Sequence, residues 1–360
     1  MKKIIIVLVV FASFLNAQDY NETASRIFFG RHPSAKTESM GRILTLGYDN
    51  NFLTQSNPAS LMSTEGISIF YSQSSRLYFF DDLNYYCGGV SYKKENIGAF
   101  AFNVQYIDLG EFTKTTINQY GPIEDGVFRV TDQLYTLTYS NTIYNWFSLG
   151  INVNLLNQTM GWENNPIGTF FEVGLLKSFN LIENTLIRDD VTIGTQLKNI
   201  FNQSITYKSD VSQDSEVGYL PSIFRIGISN VVEYFDKKIY KHSHLIGLTT
   251  GFEYQNVLNS DYRTAYKFGG ELSILDVVYL RFGYYHETLG VKSSYFDEIL
   301  LEEFTYGFGF NLNLEHYLNN QFPMSIKIDY VNLPQPSHGN FIGDWDNFNT
   351  FNLIINYRFH

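Results

Sequence analysis

Eight charged residues interrupt otherwise apolar, alternating runs: Glu172, Arg225, Glu253, Glu271, Arg281, Lys327, Asp329 and Arg358. Isolated carboxylates and cations in such runs can do two things. They can neutralise one another in a buried ion-pair network, or they can line a polar path that a ligand touches. The network is the favoured reading. Glu271 and Arg281 fall on runs joined by a tight turn at Leu275 and Asp276, which makes them near neighbours. Other chemistry is thin. His242 and His244 share one face at the start of a run, but a zinc site needs further ligands and none stands nearby in sequence. His286 and His316 fall near run ends. There is no GxSxG, no HExxH and no phosphate-cradling glycine loop. The chain is expected to be non-enzymatic, with no cofactor and no metal. Cys87, the single cysteine, cannot form an internal disulfide and reads as a small apolar residue.

The elements that carry these charges are strands. In the terminal run FNTFNLIINYRFH, residues Phe351, Leu353, Ile355, Tyr357 and Phe359 fall on one side, and Asn352, Asn356 and Arg358 on the other. From about Gly66 onward the same two-sided pattern recurs in roughly fourteen runs. They are centred on ISIFY, YYCGGVSY, IGAFAFNVQY, LYTLTYS, FSLGINVNLL, TFFEVGLLK, VTIGTQLK, IFRIGISN, HLIGLTTGFEY, AYKFGGELSI, VVYLRFGYY, FTYGFGFNLN, MSIKIDYV and TFNLIINYRF. Each can cross a thin membrane at a tilt, which takes about 9–11 residues. No run reaches the length of a membrane-spanning helix. Aromatics make up 17% of the chain, a natural supply for girdles at two membrane interfaces. The fold class is therefore all-β: a transmembrane antiparallel β-barrel of about 14 strands. A large secreted sandwich or β-helix is the weaker alternative.

On a barrel, strand parity fixes the lumen. Phe304, Tyr306, Phe308, Phe310 and Leu312 face lipid, so Thr305, Gly307, Gly309, Asn311 and Asn313 face inward. An Arg or Lys facing lipid costs about 2–4 kcal/mol at the midplane, which sends all eight charges to the lumen. The stretches 107–132, 201–221, 287–302 and 334–347 read as long extracellular loops. The links at 180–189 and 233–241 are longer than a periplasmic turn needs and leave room for small hairpin extensions.

The front end reads MKKIIIVLVVFASFLNAQ: two lysines, a short apolar stretch and small residues near Ala17. This predicts a cleaved signal peptide over 1–17 and export to the outer membrane. Residues 18–62 lack alternation and form an N-terminal plug-like segment, and 63–360 form the barrel. Asn57 and Pro58 suit the cap and first position of a short helix. The net charge of −11 and the lack of a basic tract argue against nucleic acid as a partner.

The stretch SMGRILTLGYDNNFLTQSNPASL resembles the opening segment of PorV/PorQ-type outer-membrane proteins and their FadL-like relatives. Met40, Gly41, Asp49, Asn57, Pro58, Ala59 and Leu61 match that family's Met-Gly, Asp and Asn-Pro-Ala-x-Leu pattern. NIGAFAFNVQYIDLGEFTKT, LPSIFRIGIS, YKFGGELSILDVVYLRFGYY and IKIDYVNLP resemble its strands in order, so the likeness covers most of the mature chain. ILTLGYDNN departs from the family's run of small residues. The resemblance implies a 14-stranded barrel with the N-terminal segment inside. It implies first a role in type IX secretion, with secreted protein cargo or other secretion barrels as partners. The alternative it implies is a FadL-like channel for a hydrophobic ligand. Membrane lipid is the partner common to both.

Overall fold

Alternating sequence becomes a closed wall. The computed structural model describes residues 32–48, 51–52, 55–75, 83–144, 146–159, 165–208, 215–240, 243–259, 263–289, 299–317, 323–333 and 347–358. The expected signal peptide, Asp49, His242 and Phe359 lie outside the described residues. The wall begins with β1 (Ile67–Ser75), β2 (Asn84–Lys94), β3 (Gly98–Asn118) and β4 (Gly121–Ile143). It continues through β5 (Phe147–Thr159), β6 (Ile167–Glu183) and β7 (Ile187–Lys198). A separate hairpin follows, β8 (Ser204–Lys208) and β9 (Ser215–Tyr219). The wall resumes with β10 (Ile223–Tyr234), β11 (Ile246–Val257), β12 (Thr264–Ile274) and β13 (Val278–Leu289). It ends with β14 (Ile299–Asn313), β15 (Met324–Leu333) and β16 (Phe348–Tyr357). Successive wall strands pair antiparallel, and β16 closes on β1 from Ile67↔Tyr357 to Ser75↔Asn349. Each of the fourteen alternating runs of the sequence is centred on one of these fourteen barrel strands.

Two expected loops take a different form. Residues 107–132 are β-ribbon rather than loop. β3 and β4 stay paired to Asn118↔Gly121, with register shifts between Asp108 and Glu111 and between Thr113 and Thr115. TKTTIN and GVFRV are rich in β-branched and aromatic residues, which favour a pleated ribbon. Gly110 and Gly126 have φ of 87° and 92°, a conformation available to glycine beside a bulge. Residues 201–221 contain the β8–β9 hairpin. At 180–189, β6 and β7 run on as a small hairpin to Glu183↔Arg188. The β3–β4 ribbon and the β8–β9 hairpin mark the same end of the barrel, here the ribbon end. The opposite, turn end has tight connections such as Leu275 and Asp276, both at φ near 57°.

The outer face is apolar and bare. On β14, Phe304, Tyr306, Phe308 and Phe310 are 73%, 55%, 54% and 45% exposed. So continuous an apolar surface needs lipid, because water would leave it unsolvated. Tyrosines ring its ribbon end. Tyr86 stacks with Tyr106 (6.3 Å), and Tyr254 meets Tyr266 at a tilt (5.4 Å). Their counterparts turn hydroxyls to polar neighbours: Tyr135 to Gln133 (2.7 Å), Tyr284 to Glu302 (2.8 Å) and Tyr330 to Asn349 (2.8 Å). An amphipathic ring suits the lipid–water boundary. Charge begins just beyond it. On β3 the outward series Phe100, Phe102, Val104, Tyr106 ends at Asp108, which pairs with Arg129 of β4.

Candidate functional site

The lumen of this barrel is filled, and the N-terminal segment fills its middle. Residues 32–46 are buried throughout. Helix α1 (Ala35–Ser39) is capped by Ser34, whose Oγ accepts from Thr37 N (3.3 Å). Past it, the chain passes along a belt of glycines. A Cβ on Gly150, Gly174, Gly194, Gly251, Gly269, Gly283 or Gly307 would come within 1.8–2.6 Å of segment atoms. On Gly227, the same atom would sit against Leu46 and Thr45 at 3.4–3.5 Å. These glycines lie one per strand on β5, β6, β7 and β10 to β14. Absent side chains let two backbones approach, which is glycine's use inside a strand that it otherwise weakens.

The two motifs of the segment are its tightest joints. Gly41 has φ 67°, and a Cβ there would meet Phe268 O at 2.1 Å. Its N–H donates to Thr305 Oγ1 (2.9 Å), which in turn donates to Ser39 O (3.0 Å). Met40 is fully buried against Gly269 and Gly283. Asn57 caps the 3₁₀ turn Pro58–Ser63, with Oδ1 accepting from Ala59 N (3.0 Å). Its Nδ2 lies within reach of Thr45 O (2.8 Å), Leu175 O (2.9 Å) and Thr195 O (3.1 Å), so one amide bridges the segment to β6 and β7. Pro58 rests on Gly150. Leu61 packs with Ala99 and Ala101 of β3.

Around the belt stands a network of buried charges. Glu253 is its keystone. Oε2 accepts from Leu44 N (2.7 Å) and Thr45 N (2.6 Å), and Oε1 from Lys267 Nζ (2.8 Å). Glu172 meets Lys198 at 3.2 Å and accepts from Asn152 (3.0 Å) and Gln196 (3.2 Å). Arg225 is fully buried and donates to Gln255 (2.8 Å) and Gln196 (3.1 Å). Toward the turn end, Glu271 takes Arg281 (2.6 Å) and Lys36 of α1 (3.1 Å). Asp329 takes Arg281 (2.6 Å), with Lys327 4.0 Å away and over the Tyr279 ring. Arg358 is placed differently from its sequence reading. It follows the last residue of β16, where pleat parity no longer holds, and its half-exposed side chain forms ion pairs with Glu65 (2.6 Å) and Glu315 (3.6 Å) at the rim.

Toward the ribbon end the inward positions change character. Tyr85, Ile107, Leu134, Leu156, Phe170, Ile223, Val257, Val331, Leu333 and Phe348 form one buried apolar cluster drawn from both sides of the wall. Ile205 of β8 joins it, so the β8–β9 hairpin folds over the lumen. Tyr207 hydrogen-bonds Gln158 (2.8 Å) beside it. The sequence reading missed this layer. Its signal was apolar residues on both faces near one end of each run, as in FNVQYI and NVNLL.

At the turn end, His244 links two other groups. Its Nε2 lies 2.7 Å from Ser273 Oγ and its Nδ1 3.3 Å from Glu233 Oε1. Burial alone would depress the imidazole, but the hydrogen bond and charge of Glu233 outweigh it and the group is raised above its ordinary value. The order Ser–His–Glu is that of an acyl-transfer triad. Here, however, Ser273 Oγ also lies 3.3 Å from Gly247 O, and the serine is 7% exposed. Among the described residues no group of three His, Cys, Asp or Glu side chains is arranged to hold a metal.

The class these features define is a transmembrane β-barrel of the outer-membrane kind. No family model matches the chain, and no curated protein does. Among solved structures it is similar to a Pseudomonas aeruginosa FadL homologue at 10% identity, covering 92% of this chain and 100% of that one, TM-score 0.45. It is also similar to the CymD monoaromatic hydrocarbon channel (10%, 92% and 99%, TM-score 0.43). A third is the Pseudomonas putida toluene transporter TodX (10%, 95% and 99%, TM-score 0.42). Likeness at this level carries no argument here, and the fold stands on the strand pairing itself.

Proposed function

We propose that this chain is a non-enzymatic outer-membrane barrel that passes small hydrophobic molecules, with its N-terminal segment as the plug. One observation carries the reading: the apolar layer at the ribbon end. A water-filled pore has a polar interior. Here β2 to β6, β10, β11, β15 and β16 each turn an apolar side chain inward at that height, closed over by Ile205, and the one carboxylate among these described residues, Asp132, accepts from Gln158 (3.0 Å). Such a layer excludes water and ions while offering an apolar solute a place to partition. The polar belt beneath it then requires the segment to shift, or the solute to leave before reaching it. The secretion role that the family resemblance put first takes second place. Its support is the β3–β4 ribbon, whose Tyr120 and Val127 are exposed above the wall and could meet a protein partner.

The test uses N-phenyl-1-naphthylamine, an apolar dye that fluoresces in membranes. Purified barrel in vesicles, oriented with the ribbon end outward, should speed dye entry, and Leu134→Asp should abolish the gain. Equal rates with and without protein would remove the reading. Fluorophosphonate treatment should leave Ser273 unlabelled; a label there that His244→Ala removes would make the protein a hydrolase.

A further inference from the structure

A small, partly enclosed cavity of about 20 Å³ lies between the N-terminal segment and the wall. That is room for one water-sized or slightly larger occupant. The segment contributes His32, Arg42 and Gln55, and the wall contributes Arg225, Lys267 and Glu287. Three cationic side chains therefore meet one carboxylate at its surface. His32 adds no charge, because Nδ1 accepts from Ser34 N (3.1 Å) and Nε2 is left to donate to Phe52 O (3.2 Å).

The carboxylates nearby are already engaged. Glu287 holds Arg263 (3.2 Å), Glu38 holds Arg42 (2.9 Å) and Glu172 holds Lys198 (3.2 Å). Glu253 is taken by Lys267 and two backbone N–H groups. Arg225 is left with neutral oxygens and a carboxylate no nearer than 4.0 Å. Its Nη2 has no hydrogen-bond partner among the described residues. Among the described residues, these pairs leave five cations sharing four carboxylates in a buried setting. A buried unpaired charge is costly, and a buried unsatisfied donor adds to the cost. A water would answer the donor and leave the charge.

We propose that this cavity binds one monovalent, halide-sized anion such as chloride. Arg225 Nη2 is its principal donor, and Arg42 and Lys267 supply field from the two sides. The ion would pin the segment to the wall, because half of its shell belongs to each. This holds whatever the barrel carries.

Bromide tests it on the wild-type protein. Crystals grown or soaked in bromide should give an anomalous peak within hydrogen-bond reach of Arg225. In solution, unfolding should be compared in sodium chloride and sodium gluconate at equal ionic strength. Above the binding constant, each tenfold rise in chloride should shift the folded-to-unfolded ratio about tenfold. Arg225→Gln should lose that dependence. If the variant fails to insert, the wild-type measurements decide alone. A water in the cavity with no anomalous signal would overturn the site. So would a bromide peak without any difference between chloride and gluconate, since that is binding at crystal concentration only.

Discussion

The lumen is closed twice, by two unlike materials. At the ribbon end the seal is side chain against side chain, with Leu134, Phe170 and Ile223 among its members. At mid-height it is polypeptide against polypeptide, with residues 39–48 and 57–59 lying on the glycine belt. The first seal has no directional bonds and can part for a greasy solute at the expense of contact area. The second is held by Asn57, Glu253 and Thr305 through bonds of defined geometry. A barrier of the first kind selects by polarity; a barrier of the second kind opens only when something displaces a chain.

The sharpest break of this comparison is steric. Gly283→Val places carbon where Gly41 N would lie 2.1 Å away, and neither backbone can yield. We expect the segment to be expelled, seen as new protease cleavage within 32–64 and as ion conductance in planar bilayers. Gly88, which faces outward with its nearest neighbour at 3.5 Å, should accept alanine without either change. Next comes Glu253→Gln, which strips the partner from Lys267 and weakens two segment bonds. Breaking such a buried pair should cost about 3–5 kcal/mol, read from the heat-induced mobility shift on gels. Leu134→Ala should cost about 2–3 kcal/mol by the same measure. It should loosen the apolar seal alone, so dye entry rises while conductance stays flat.

The smallest effect concerns pH. His244 is raised above the ordinary histidine value by Glu233, with Asp276 and Glu271 adding to it. Its contribution is therefore fully present below about pH 6.5 and is lost as pH rises through the folded-state value. The stability difference between wild type and His244→Gln should shrink on passing from acid to alkaline buffer. A difference independent of pH would mean that the imidazole acts only by packing.

Much of the wall was legible in the chain, because a pleat of period two writes itself into sequence wherever one face meets lipid. ISIFY and FTYGFGFNLN needed nothing else. The 107–132 ribbon was hidden for the opposite reason. Outside the membrane both faces meet water, so β-branched residues carry no alternation to read. Arg358 was misassigned because parity was carried one residue past the last pair. The glycines were visible in the sequence, but their alignment into a belt depends on the offsets between neighbouring strands, which no single strand records. The apolar layer was missed because alternation was assumed to mean polar inside at every height.

The belt also constrains assembly. The wall is zipped shut by the first and last strands, β1 and β16. Clearance between belt and segment is set by missing side chains, too narrow for a chain to be threaded once the hoop is complete. The described residues between 32 and 64, first off the ribosome among those described, would then have to lie in place before the final strand arrives. The insertion machinery would then fold the cylinder around its own contents, and a truncated chain lacking them would be left to close on an empty ring.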